Sequence, residues 1–167
     1  MHLPAQERLK LWQIIIMVCK FLKPKALTLM QQKINLKKTY GKLIKSCLIS
    51  KGELKCIMSL QPSSESQIYV IKITYKYTDK FPKVWLLFPN LEKVEGKYPH
   101  HKYEFDATGH PRLCVYFPEY REWNPTMDIA LSFVPWIVTW LNTYEYWLIT
   151  GEWSYDESPR TISRKDL

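Results

Sequence analysis

The sequence has only five glycines, and none lies in a G-x-x-x-x-G-K or G-x-G-x-x-G cluster, so no glycine-rich loop is available to cradle phosphate. There is also no G-x-S-x-G element and no pair of carboxylates poised for acid–base work, which leaves nucleotide hydrolysis and glycoside hydrolysis without support. Long apolar runs are missing as well. The longest, from Leu11 to Leu22, is interrupted by Gln13 and Lys20 and falls well short of the roughly 20 residues that cross a bilayer, so no membrane partner is expected. The segment that follows it, FLKPKALT, lacks the small-residue cleavage site of an export signal, which favours a cytoplasmic location. An alternative start at Met17 would make the first sixteen residues an upstream extension. The four cysteines, Cys19, Cys47, Cys56 and Cys114, form no C-x-x-C pair, and reduced thiols are expected.

What is present is a globular composition: 167 residues, 46% hydrophobic and 14% aromatic, enough to bury the core of one domain. The net charge of +8 would attract acidic partners or nucleic acid without selecting either. The charge is also unevenly spread. Lys20 to Lys55 holds ten lysines against one acid, Glu53, whereas Glu145 to Glu157 holds four acids and no base.

In the basic half, Leu27, Met30, Ile34, Tyr40 and Leu43 recur at roughly helical intervals, predicting an amphipathic helix that ends near Gly41. Its lysines read as a solvated face, since no aromatic or arginine platform is interleaved; no specific nucleic-acid partner is expected. From Leu54 the period becomes two. Leu54, Cys56, Met58 and Leu60 form one strand face and Tyr69, Ile71, Ile73, Tyr75 and Tyr77 another; Val84 to Phe88 makes a third strand. The intervening turns predict an antiparallel meander of three to four strands.

Glu92 to Arg112 shows no sustained period and reads as a long functional loop. Beyond it, Asn124, Pro125 and Asp128 carry helix-start signals, and Ile129, Phe133, Trp136, Trp140, Tyr144 and Trp147 give a wide aromatic face that reads as core. Pro135 is expected to kink or split this helix. The fold class is therefore α+β: an N-terminal helix, a meander, an active-site loop and C-terminal helices.

Cys114 stands in GHPRLCVYFPEYREW, an irregular stretch that favours an accessible side chain. A nucleophilic thiol there needs nearby positive charge, hydrogen-bond donors or a base, which His100, His101, His110 and Arg112 offer; an inert buried cysteine is the alternative. His100, His101, His110 and Cys114 fall within fifteen residues, but their spacing, H-H-x8-H-x3-C, fits no specific zinc pattern, and neither metal nor cofactor is expected.

The order of these pieces resembles the ubiquitin-conjugating enzyme fold, with Pro82-Lys83-Val84 before the loop, then Cys114, then Trp123-Asn124-Pro125. SLQPSSESQIYVIKITY, PHHKY, LCVYFPEYREW and TWLNTYEYWLITGEW look more particularly like the conjugating-enzyme-like proteins of bacterial cyclic-oligonucleotide-based anti-phage signalling (CBASS) operons, in their stand-alone form without an activating domain. The resemblance covers about Leu27 to Pro159 and divides the chain into an N-terminal extension or first-helix start at 1–24, the conjugating-type domain at 25–159 and a polar tail at 160–167. It implies a cysteine-dependent conjugating enzyme in which Cys114 holds, as a thioester, the C-terminal tail of a cGAS-like nucleotidyltransferase (CD-NTase). That tail would then pass to a protein acceptor lysine, priming the synthase. His101 would match the family's loop histidine as a second catalytic residue, and Tyr116 and Trp123 would serve binding. A non-catalytic subunit that scaffolds the synthase is the alternative. The His-Pro-Asn element of eukaryotic relatives is absent at its usual distance; Phe88-Pro89-Asn90 ends twenty-four positions before the cysteine.

Overall fold

A computed structural model describes residues 24–116 and 122–154, together with Pro4, Gln6, Glu7, Lys10 and Gln13. The apolar stretch Leu11 to Leu22, with Met17 and Cys19, is outside the described residues apart from Gln13, and so are Pro118 and the 160–167 tail.

Helix α1 (Leu29–Tyr40) begins at a capping box. The Thr28 hydroxyl accepts from the Gln31 amide at 3.1 Å, and the Gln31 side chain accepts from the Thr28 amide at 2.8 Å, so two otherwise orphaned donors satisfy one another's residues. Lys37 and Lys38 in the last turn oppose the negative end of the helix dipole. The face that α1 buries differs from the one expected. Leu29, Gln32 and Leu36 are inside, while Met30 and Ile34 are 55% and 53% exposed. Gln32 is the reason. Its amide donates to the Met127 carbonyl at 2.8 Å and accepts from the Ile129 amide at 2.8 Å, so a polar side chain takes a core position and displaces the apolar stripe outward.

A short 3-10 turn (Gly41–Leu43) leads into β1 (Ile44–Ser50), which reverses at Lys51 and Gly52 into β2 (Glu53–Leu60). Both turn residues have positive φ, 50° and 71°, the twist that a two-residue hairpin needs and that glycine supplies without strain. β3 (Tyr69–Lys76) and β4 (Lys83–Phe88) continue the meander. The expected alternation holds in β2, β3 and β4: Leu54, Cys56, Met58, Ile71, Ile73, Val84 and Leu86 all face the core. Tyr77, predicted to extend the β3 face, lies beyond the strand and is half exposed.

The sheet is larger than the predicted meander. It has six antiparallel strands in the order β1-β2-β3-β4-β6-β5, because the segment expected to be a loop folds a hairpin of β5 (Lys102–Phe105) and β6 (Pro111–Leu113) onto β4 through Trp85 and Arg112. These strands are too short to show a period, and β1, an edge strand with a bulge between Ile44 and Ser46, mixes exposed and buried apolar residues.

Helix α2 (Phe133–Thr150) covers the buried face of the sheet with Phe133, Ile137, Trp140, Leu141, Tyr144 and Trp147, much as its aromatic spacing predicted. It starts later than expected. Asn124 caps no helix: its side chain accepts from the Thr126 amide at 2.9 Å and hydroxyl at 2.6 Å, forming a turn, and Asp128 closes another by accepting from Ala130 and Ser132. Pro135 thus falls in the first turn of α2, where its missing N–H costs nothing, and the helix runs on unbroken. Gly151, at φ 74°, ends it by donating to the Trp147 carbonyl. Glu145 ties helix to sheet, accepting from Ser66 at 2.6 Å and Tyr69 at 2.9 Å.

Replacing Gln32 by Leu keeps the volume but orphans the Met127 carbonyl and the Ile129 amide. The expected cost is about 2 to 4 kcal/mol, read as a lower urea midpoint with an unchanged slope.

Candidate active site

The hairpin of β5 and β6 is locked at its turn by one carboxylate. Asp106 accepts from the amides of Thr108 and His110, each at 3.0 Å, and from the Thr108 hydroxyl at 2.6 Å. Gly109, at φ 84°, completes the reversal. The Thr108 hydroxyl first, then the His110 amide, hold the Asp106 carboxyl well below the usual carboxylate range, and Lys72 at 3.6 Å assists. The His110 ring is engaged here too, its Nδ1 2.7 Å from the Thr108 hydroxyl. This places His110 at the closed end of the hairpin, away from the cysteine.

Cys114 follows β6 at the open end. Its amide donates to the His101 carbonyl at 3.1 Å, which continues the ladder one step beyond the Lys102–Leu113 pair. The same His101 carbonyl accepts from the Trp140 indole at 2.8 Å, so helix α2 holds the strand end that holds the cysteine. The His101 ring lies against Trp153, with centroids 5.1 Å apart and planes tilted by 31°. Hairpin register therefore joins Cys114 and His101 through their backbones.

The Cys114 side chain is half-buried, unlike Cys47 and Cys56, which lie opposite one another on β1 and β2 inside the core. Its Sγ is 3.5 Å from the Tyr103 hydroxyl and 3.7 Å from the Tyr116 carbonyl. Tyr103 lies beneath the Arg112 guanidinium, whose centre is 3.9 Å from the ring centroid. Burial, reinforced by the contact with Cys114, raises the Tyr103 phenol to about 12, so it is a neutral donor at physiological pH. Tyr103 was not foreseen as a site residue. The only sequence signal is its place two residues after His101 in the PHHKY element.

Tyr116 and Trp123 are buried. Tyr116 stacks on Trp136 with centroids 5.8 Å apart and meets Phe81 edge-on, and Trp123 packs edge-on to Tyr75 at 5.0 Å. The Tyr116 hydroxyl and the Trp123 indole nitrogen have no hydrogen-bond partner among the described residues. His100 lines a separate cavity of about 310 Å³ with Glu95, Trp147 and Glu152, between the 94–100 loop and the end of α2. Of the groups expected around the sulfur, the structure thus brings His101 and Arg112 to it indirectly and engages His100 and His110 elsewhere.

A family model for the Type II CBASS E2 protein matches residues 32–160. The chain belongs to that family. No curated protein matches it. Membership in the CBASS E2 family is consistent with a role in CBASS defence, with association with a CBASS CD-NTase system and with conjugating-type activity in general. The matched span takes in Cys114, the whole hairpin and α2.

The thiol environments predict a labelling order. Iodoacetamide should modify Cys114 of the folded protein well before Cys47 and Cys56, and denaturation should equalise the three; peptide mapping by mass spectrometry reads the order.

Proposed function

We propose that this CBASS E2 protein is a thioester-forming transferase whose nucleophile is Cys114 and whose donor is the C-terminal tail of a cGAS-like CD-NTase. The observation that carries the reading is the half-buried Cys114 Sγ, set beyond a β-strand with a phenol hydroxyl 3.5 Å away rather than sealed in the core. The thiolate attacks the activated C-terminal carbonyl, the donor's leaving group departs, and the tail is carried on sulfur. An acceptor lysine amine then displaces the sulfur and an amide results.

His101 supports this by position. Its carbonyl fixes the Cys114 amide and, through Trp140, fixes both to the helix, while its ring stands on Trp153 beside the same strand end. Tyr116 supplies a carbonyl 3.7 Å from the sulfur, and Trp123, packed edge-on against Tyr75, would serve tail binding from the core side. The family's CBASS setting supports the choice of synthase as donor. The work belongs in the cytoplasm, where thiols stay reduced.

Cys114→Ser co-expressed with the synthase should accumulate an oxyester that resists thiol reductants but yields to hydroxide. Cys114→Ala should form no adduct and lose phage protection; protection that persists in Cys114→Ala identifies the chain as a non-covalent scaffold instead.

A further inference from the structure

We infer that Tyr103 is a catalytic residue of the transfer, its hydroxyl being the donor that stabilises the oxyanion formed when an amine attacks the Cys114 thioester. This rests on the thioester reading above. No asparagine precedes Cys114 at the distance seen in eukaryotic relatives, and the side-chain hydroxyl in contact with the sulfur is that of Tyr103, which accepts from the Cys114 thiol at 3.5 Å.

The geometry fits the charge that develops. In the free enzyme the thiol donates to Tyr103; once Sγ is acylated that proton is gone, and the phenol can turn its own hydrogen to the acyl group. The carbonyl carbon is bonded directly to Sγ, so its oxygen lies two bonds from the atom that Tyr103 already contacts. As the amine nitrogen forms the C–N bond, the carbonyl π pair moves onto oxygen and meets the phenol hydrogen. The amine proton passes to water; collapse restores the C=O bond, breaks the C–S bond and leaves the Cys114 thiolate, to which the phenol then donates. From acylation to collapse Tyr103 donates without giving up its proton.

Two features preorganise it. Tyr103 sits on β5, whose register with β6 is fixed by the Lys102–Leu113 and Phe105–Pro111 pairs and by the Asp106 turn, so the hydroxyl and the sulfur are held by one hairpin. The Arg112 guanidinium on its ring face restrains the ring and adds positive potential beside the forming oxyanion. A fixed donor of this kind reorganises little during reaction, and removing one oxyanion donor typically costs about 100- to 1000-fold in rate.

The full-length chain can be charged by exchange with a short glycine-ended peptide thioester, then mixed with free lysine, with Cys114-linked peptide followed by intact mass. Tyr103→Phe keeps the ring beneath Arg112 and should reach the same charged end point, which also reports that it is folded. Its discharge to lysine should then be about 100-fold slower than wild type. Equal discharge rates in the two chains would overturn the role of Tyr103 and leave Cys114 as nucleophile intact. A wild-type chain that never takes up the peptide would overturn the thioester reading itself, and the Tyr103 assignment with it.

Discussion

One carbonyl oxygen, that of His101, accepts the Cys114 amide at 3.1 Å and the Trp140 indole at 2.8 Å, and through it the helix, the hairpin and the Cys114 segment hold one another in place. A short hairpin on the edge of a sheet is marginal alone. Here Trp140 anchors its open end to the core and Asp106 fastens its closed end, so a pair of strands of four and three residues can carry a chemical group at a defined position. Placement of the sulfur against Tyr103 follows from that double anchorage.

The same economy recurs elsewhere. Gln32 joins α1 to the 127–129 segment that leads into α2, Glu145 joins α2 to β3 and the 63–66 turn, and the Tyr144 hydroxyl accepts the Glu92 amide. Each is a buried or half-buried polar group with its partners present, and such groups specify one packing where apolar contacts alone would tolerate several. The acidic run that begins at Glu145 thereby includes an internal strut. The proposed transfer would draw on this rigidity, because acyl carbon, hydroxyl and incoming amine would have to meet in one geometry.

How much was legible in the sequence depended on whether one face of an element is buried. Leu54, Cys56 and Met58, or Ile71 and Ile73, alternate because β2 and β3 have one core face, and the aromatic residues of α2 recur at three and four because the helix lies on that face. The exposed Met30 and Ile34 misled the reading of α1, since Gln32 takes their place in the core through hydrogen bonds that no hydropathy pattern encodes. Asn124, Pro125 and Asp128 are as suited to consecutive turns as to a helix start, and the Asn124 and Asp128 side chains close turns by accepting from the amides two residues on. As candidates, Cys114 and His101 could be picked out by motif order. Tyr103 could not, because its meaning lies in the register of two strands too short to announce themselves, and that register exists only once the hairpin is fastened.

The central claim is that Cys114 carries a protein C-terminus covalently. Peptide mapping of the native chain purified with its synthase under acidic, thiol-free conditions tests it directly. The account predicts a branched peptide joining the synthase's C-terminal residues to Cys114, lost on treatment with hydroxylamine at neutral pH; a stable complex in which the Cys114 peptide is entirely unmodified would contradict it.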